Sequence, residues 1–481
     1  MATMSLRDSM FLMAESRERP THVGSLQLFE RPEGAGPDFL GDLHRRLVTS
    51  DVPPARLFRR RAVRSVATLG QWAWEEDHDL DIEYHVRLSA LPRPCRIREL
   101  LELVSRLHGT LLDRHRPLWE VHLIEGVEGD RFAVYTKIHH ALMDGVTSMK
   151  QLQRALTTDP DARGMPPTWT VDPRPPQSER SATEVTTTGG SALPTPITAL
   201  GSLATGGWHA AKSAVRTTTS AVGVVGALAS SLYRGFAERD VTLPFEAPST
   251  MFNVPITGAR RFAAQSWPLK RIQRVRERTH TTVNDVVLAM SAGALRRYLL
   301  EHDALPERPL VAAVPVSLAA GGGTGNQLGA ILVGLATEEA DPARRLERIR
   351  LSGVAAKQNI SDRDPLATAA LSVAVAAPLA LGSVPGLSSV LRPGFNIIIS
   401  NVPGPKETLY WEGAKLAGLY PLSVAFDGQA FNITVTSYGD HMEFGLTGCR
   451  RRVPHLQWML TFLEESLVEL ETVADSVDVA R

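Results

Sequence analysis

Cysteine is scarce in this chain: among 481 residues there are two, Cys95 and Cys449. They lie far apart and form no C-x-x-C motif, so the pattern predicts neither a disulfide framework nor a zinc site, and it fits a reducing cytosol. An excess of one charge is also missing, because 52 Lys and Arg balance 52 Asp and Glu. A neutral chain without a recognition signature argues against nucleic-acid binding and leaves only a local basic patch for anionic lipid.

Long uninterrupted apolar runs are missing too. The nearest candidate for a membrane span, Leu366–Val384, is rich in alanine and broken by Pro378, so we interpret it as packed helices. The N-terminus mixes acidic and basic residues without an apolar core, which is not the pattern of a signal peptide. No G-x-S-x-G elbow and no zinc-ligand spacing occur, so a covalent acyl-serine or metal mechanism has no support.

What is present predicts two domains, since 481 residues exceed one ordinary core. We place the domains at residues 1–160 and 246–481. Residues 161–245 are rich in Pro, Thr, Ser and Gly and form a linker or crossover with a helical arm, Gly206–Phe236, that packs between domains or touches lipid. Strands and helices mix without strict alternation, which favours an α/β sandwich with mixed sheets.

The stretch KIHHALMDG, Lys137–Gly145, carries the strongest chemical signal. Strand alternation from Arg131 places His140 at the end of the more apolar face and His139 on the opposite face. We therefore favour His140 as a general base near neutral pH. Asp144 caps the following helix or holds an arginine or backbone group, and Gly145 permits a tight turn or a close approach. The alternative is a core histidine pair with a capping aspartate.

HHALMDG resembles the H-H-x-x-x-D-G signature of the acyl-CoA-dependent acyltransferase superfamily, which includes chloramphenicol acetyltransferase-like enzymes. Within it, the chain is similar to the bacterial wax ester synthase/diacylglycerol acyltransferase family in PLWE (Pro117–Glu120), VNDVVLA (Val283–Ala289) and SNVPGP (Ser400–Pro405). Thr21 stands where Met is common and Cys95 where Gly is common; we expect neither to touch the chemistry. The resemblance implies a two-domain chloramphenicol acetyltransferase-like sandwich with an active-site cleft between the domains.

The resemblance also implies an O-acyltransferase that moves a long acyl chain from acyl-CoA, as co-substrate, to diacylglycerol, a fatty alcohol, or both. His140 would be the base, supported by His139, Asp144 and Gly145, without an acyl-enzyme, metal or redox cofactor. The protein would be cytoplasmic and peripherally associated with membranes or lipid droplets. The alternatives are a condensation-type or polyketide-associated acyltransferase that uses a carrier-bound thioester, and a non-catalytic lipid-binding homologue.

Asn284 and Asp285 would reach the cleft from the second domain, within about 15 Å of His140, a few contact distances. Each has a structural alternative. Thr282-x-x-Asp285 is a capping box in front of an apolar helix, and Asn284 either donates to an oxyanion or shapes the turn. Trp119 would line the acyl site or be a core aromatic residue.

Overall fold

The computed structural model describes residues 2–65, 68, 70–172, 247–318, 327–361 and 393–479. The arm Gly206–Phe236 and the apolar segment Leu366–Val384 lie outside the described residues. The elements of the N-terminal half are, in chain order, β1 (Ala2–Thr3), α1 (Leu6–Ala14), β2 (His22–Glu30), α2 (Phe39–Val48), β3 (Arg60–Val63), β4 (Ala73–Glu76), α3 (Ile82–His85), β5 (Val86–Ala90), α4 (Ile97–His108), β6 (Trp119–Val127), β7 (Arg131–His139) and α5 (Gly145–Ala155).

The C-terminal half begins with a strand and ends with a long helix. Its elements are β8 (Arg260–Pro268), α6 (Leu269–Thr279), α7 (Val283–Glu301), β9 (Val311–Leu318), β10 (Gln327–Gly334), α8 (Pro342–Ser361), β11 (Ile397–Val402), β12 (Tyr410–Trp411), β13 (Ala414–Leu422), β14 (Phe431–Tyr438), β15 (His441–Cys449) and α9 (Trp458–Val479).

Two six-stranded sheets form the framework, with strand orders β12-β13-β2-β7-β6-β5 and β10-β9-β11-β14-β15-β8. Both sheets are mixed: β5 runs parallel to β6, and β11 runs parallel to β9 and β14, while the other pairs are antiparallel. This confirms the predicted mixed-sheet α/β class. The third, small sheet has the order β1-β4-β3.

The sequence from Pro117 to His140 predicts two strands joined by a Gly-Asp turn, and the structure confirms this hairpin. Strands β6 and β7 pair antiparallel, and the turn between them includes Gly129 and Asp130 in the left-handed region, with φ of 75° and 52°. Glycine and aspartate tolerate this conformation better than most residues, which explains why the chain reverses here. The hairpin carries the chain out to the proposed site.

Helix α4 is shorter than its sequence suggests. The apolar spacing predicted a helix from Arg96 to Asp113, but the helix ends at His108, where Gly109 caps it by donating its N–H to the carbonyl of Ser105. Gly109 keeps a right-handed conformation, with φ of -82° and ψ of -8°, so no left-handed turn ends the helix. Of the predicted apolar face, Leu100 is buried and Leu103 and Leu107 are half-buried, whereas Leu111 lies beyond the helix.

The N-terminal and C-terminal halves of the chain contribute strands to the same sheet and residues to the same apolar cluster. Strand β13 comes from the C-terminal half but pairs with β2 of the first sheet, an exchange that the sequence reading did not anticipate. One apolar cluster contains Leu28 and Tyr135 from the first sheet together with Phe262 and Leu422 from the C-terminal half. The boundaries at residues 160 and 246 stay a prediction.

Candidate active site

The histidine motif occupies a strand–turn–helix corner, as predicted. Strand β7 ends at His139, the carbonyl of His139 accepts the N–H groups of Leu142 and Met143, and α5 begins at Gly145. Asp144 is the N-cap: its Oδ1 accepts the N–H of Thr147 at 2.8 Å. The capping role is therefore confirmed, and Asp144 forms no ion pair with any residue that the structure describes.

Gly145 is exposed, and a Cβ built on it meets no described atom within 4 Å. Its φ is not positive either. Neither a close approach nor a left-handed turn therefore explains the glycine within the described part of the chain, and its supporting role stays a prediction.

His140 lies one residue beyond the strand, not at its end as the alternation predicted. Its backbone N–H donates to the carbonyl of Thr21 at 3.0 Å, and its ring stacks on Phe11 with centroids 4.1 Å apart and planes 15° apart. His140 as a residue is half-buried, whereas His139 is 0% exposed. The expected contrast between an inward and an outward face is too simple, because both faces of β7 are covered.

His139 is held on both ring nitrogens. Its Nδ1 accepts the N–H of Ala141 at 3.1 Å, and its Nε2 lies 2.9 Å from the hydroxyl of Thr21. Thr21 therefore contacts both histidines, through its hydroxyl and through its carbonyl. Our expectation that the threonine does not touch the proposed chemistry was wrong. The sequence singles out Thr21 as a departure from the family pattern. Sequence spacing alone, however, does not show that the segment containing Thr21 packs against β7.

A buried ion pair joins the PLWE motif to the strand that precedes the histidine motif. Lys137, two residues before His139, places its Nζ 3.0 Å from Glu120 of PLWE, and the two side chains are 1% and 6% exposed. The same ammonium group donates to the carbonyls of Leu107 and Thr110 at 3.2 and 3.1 Å. All three donors of the lysine are thus used, and they tie β7 to β6 and to the end of α4.

Glu120 carries its charge inside this cluster. Burial alone would raise the pKa of Glu120, but contacts with His122, Lys137 and Arg87 outweigh it and lower that pKa to about 2. The carboxylate also lies 3.2 Å from His122 and 3.4 Å from Arg87. The ion pair between Lys137 and Glu120 thus holds β7, the strand that leads to the histidines, against β6.

Asp285 has the structural role that its spacing predicted. Its carboxylate accepts the backbone N–H and the hydroxyl of Thr282 at 2.9 and 2.7 Å, which completes a capping box on α7. Asn284, next to it, is half-buried and its amide makes no hydrogen bond among the described residues. The predicted distance of less than about 15 Å between Asn284 and His140, a few contact distances, stays a prediction.

Trp119 is a core aromatic residue. It is 1% exposed, donates its indole N–H to the carbonyl of Phe58 at 2.7 Å and stacks on His85. The gap beside it, also bounded by Ile138 and Trp169, has a volume of about 20 Å³. A cavity needs roughly 10–15 Å³ to hold one water molecule, so this space does not hold an acyl chain.

Metal ligands do not gather in the described part of the chain, which contains no group of three or more His, Cys, Asp or Glu residues that could hold an ion. Nor does any described helix combine the length and the apolar character that crossing a bilayer requires.

Comparison with known families gives two matches. Residues 4–287 match the model described as "Wax ester synthase/diacylglycerol acyltransferase catalytic domain", and residues 324–471 match the model described as "WS/DGAT C-terminal domain". The first match contains the histidine motif together with Asn284 and Asp285.

Whole-length relatives agree with these matches. The chain is 48% identical over 474 residues to a Mycobacterium tuberculosis protein named "Probable diacyglycerol O-acyltransferase tgs2", covering 98% of this chain and 99% of the relative. The solved structure of the "Wax ester synthase/diacylglycerol acyltransferase from Marinobacter aquaeolei VT8" is 43% identical, with a TM-score of 0.75 and coverage of 98% and 100%. The first condensation domain of the CDA synthetase has a TM-score of 0.52 at 15% identity, with coverage of 98% and 96%, and shares the fold.

Proposed function

Because the chain belongs to the wax ester synthase/diacylglycerol acyltransferase family, we propose that it esterifies diacylglycerol with a long acyl chain taken from coenzyme A, and that fatty alcohols are a second acceptor. It is an acyltransferase that depends on acyl-CoA. Triacylglycerol would be the first product and a wax ester the second.

The partial exposure of His140, beside a fully buried His139, is the observation that carries the proposed mechanism. A general base must be fixed in orientation and yet be within reach of the proton it removes. His140 meets both needs, since Thr21 holds its backbone, Phe11 supports one face of its ring, and the residue is half-buried and not fully enclosed. His139 fails the second need because it is 0% exposed and bonded at both nitrogens.

In the proposed reaction both substrates are bound together. The imidazole of His140 removes the proton of the acceptor hydroxyl while the oxygen attacks the thioester carbonyl and forms the new C–O bond. The tetrahedral intermediate then collapses, the C–S bond breaks, and the coenzyme A thiolate takes the proton back from the imidazolium. The proposed reaction uses no acyl-enzyme, metal or redox cofactor.

Other residues would support this step. Asp144 fixes the corner through the N-terminus of α5, and the half-buried amide of Asn284 is the candidate donor to the oxyanion. Asp285 would act through α7, whose first turn it caps.

One assay tests the proposal directly. Purified protein is given radiolabelled palmitoyl-CoA with diacylglycerol or hexadecanol in parallel, and the lipids are separated afterwards. We expect labelled triacylglycerol and wax ester, and a loss of roughly 10²–10⁴-fold in His140→Ala, as for removal of a general base. His139→Ala should lose less activity per folded molecule. Full turnover by a folded His140→Ala variant would refute the assignment of the base.

We further propose that the protein acts at the surface of membranes or lipid droplets, where diacylglycerol resides. Flotation with phospholipid vesicles should recover the protein, and salt or mild detergent should release it. Protein that stays at the bottom of the gradient with or without diacylglycerol in the vesicles would contradict surface binding.

A further inference from the structure

We infer that Glu15, Thr21 and His139 are positioning residues for His140: Glu15 and Thr21 fix the tautomer of the His139 ring, and this ring fixes the turn that carries His140. The inference rests on the proposed role of His140 as the base. It assigns a function to a buried carboxylate that the sequence did not single out.

The ring of His139 closes a turn around His140. A backbone N–H can only donate, so the 3.1 Å contact from Ala141 requires His139 Nδ1 to be unprotonated. The N–H of His140 is bonded to the carbonyl of Thr21 at 3.0 Å. The peptide groups on both sides of His140 are therefore held, and the closure depends on the protonation of the neighbouring ring.

A neutral imidazole with a free Nδ1 carries its proton on Nε2, and that proton needs an acceptor. The hydroxyl of Thr21 lies 2.9 Å from Nε2, and the carboxylate of Glu15 lies 3.4 Å from it. The Thr21 hydroxyl is in turn 3.1 Å from the carbonyl of Phe11, to which it donates. His139 Nε2–H thus donates to the Thr21 hydroxyl, and the Thr21 hydroxyl donates to a carbonyl of α1.

Glu15 disfavours the Nδ1–H tautomer of His139. Its carboxylate is 1% exposed and receives Nε and Nη2 of Arg114 at 3.0 and 2.9 Å. Burial alone would raise the pKa of Glu15, but the hydrogen bond from His139 and the charge of Arg114 outweigh it and lower that pKa. An ionised carboxylate only accepts hydrogen bonds, so it cannot donate to a bare Nε2.

Arg114 extends the arrangement to α1. Its Nη2 also donates to the carbonyl of Leu12 at 3.0 Å, one residue after Phe11, whose ring stacks on His140. The same segment therefore sets the backbone of His140, the ring beside it, and the tautomer of His139.

Glu15→Gln is the decisive substitution because it keeps the shape and introduces a donor. The glutamine amide can donate to Nε2 and stabilise the Nδ1–H tautomer, which would place two donors, Nδ1–H and the N–H of Ala141, against each other. We expect kcat to fall roughly a hundredfold, as for a misplacement of about 1 Å, with KM for palmitoyl-CoA almost unchanged.

A matched control separates positioning from the general loss of a buried ion pair. Glu412 is also buried, pairs with Arg46 at 2.8 Å and accepts the N–H of Gly164 at 2.9 Å. Glu412→Gln should keep its kcat once folded protein is counted. Thr21→Ser retains the hydroxyl and should keep most activity, whereas Thr21→Val should lose roughly tenfold, as for the loss of one hydrogen bond.

The tautomer itself is measured by two-bond ¹H–¹⁵N correlation on protein labelled at histidine, with His139→Gln used to assign the signal. We expect Nε2–H in the natural protein and Nδ1–H in Glu15→Gln. An Nδ1–H signal in the natural protein, or full kcat in both Glu15→Gln and Thr21→Val, would overturn the inference. If Glu15→Gln does not fold, the two Thr21 variants decide the question. Turnover by His140→Ala would reject the base while leaving the tautomer result valid.

Discussion

Replacing Lys137 by methionine tests whether the two motifs PLWE and KIHH are held together by their ion pair. The substitution keeps the length and apolar stem of the side chain but removes the ammonium group 3.0 Å from Glu120. Glu120 would remain charged in a site where it is 6% exposed, and removing one partner of a buried pair costs about 3–5 kcal/mol. The carbonyls of Leu107 and Thr110 would lose their donor as well.

The measurement is urea unfolding followed by tryptophan fluorescence at pH 7, and the quantity compared is the free energy of the first transition. We expect Lys137→Met to lower it by about 3–5 kcal/mol. The double variant Lys137→Met/Glu120→Gln leaves neither partner of the pair charged. Its free energy of unfolding should therefore be about 1–3 kcal/mol higher than the value expected from adding the losses of the two single variants.

Acid gives an independent test of the same pair. The pKa of Glu120 is lowered to about 2 in the folded protein, from an ordinary value of 4.5. Its contribution to stability is therefore complete above about pH 4.5 and is lost as the pH falls toward 2. Glu120→Gln should remove this acid-dependent part. Two results would refute our account of the ion pair. One is a loss of less than about 1 kcal/mol of unfolding free energy in Lys137→Met, and the other is a double variant whose loss equals the sum of the two single losses.

Three further predictions concern single carboxylates. Asp144→Asn should keep most of the stability, since asparagine also caps helices, while Asp144→Ala should lose about 1 kcal/mol together with activity; an Asp144→Asn variant of unchanged melting temperature and no activity would instead place the carboxylate on the imidazole. Asp285→Ala, which removes two hydrogen bonds to Thr282, should cost about 2 kcal/mol in thermal or urea unfolding, and inactivity without this cost would argue for direct chemistry. Glu443 is 1% exposed, and burial raises its pKa to about 7, against a smaller lowering by the Ser266 hydroxyl. Its folded pKa exceeds the unfolded value, so stability is lost as the pH rises through 7; Glu443→Gln should therefore stabilise the protein at pH 8.5 but not at pH 5, and equal effects at both values would contradict this.

Local patterns predicted the local structure well. The hairpin before His139, the cap at Asp144 and the capping box at Asp285 each depend on residues within a few positions of one another, and all three are present. The family motifs likewise identified the class of fold and the transfer of acyl groups.

Long-range contacts were the part that the sequence did not reveal. Thr21 lies far from His139 in sequence, and nothing in its spacing shows that its hydroxyl faces that ring. Glu15 was missed for the same reason, because its partners Arg114 and His139 come from two later parts of the chain. The helix α4 was predicted too long, because its apolar spacing continues past the glycine that ends it.

The exchange of β13 has a consequence for how the chain is made. Glu30 pairs with Lys415, so the first sheet stays incomplete until almost the whole protein has left the ribosome. Until then β2 is an open edge that can pair with another chain, and such edges invite aggregation. Contacts so distant in sequence also slow folding. Recombinant production of this enzyme should therefore gain more from slow synthesis and chaperones than from shortening the chain, and a fragment that ends before β13 should be insoluble.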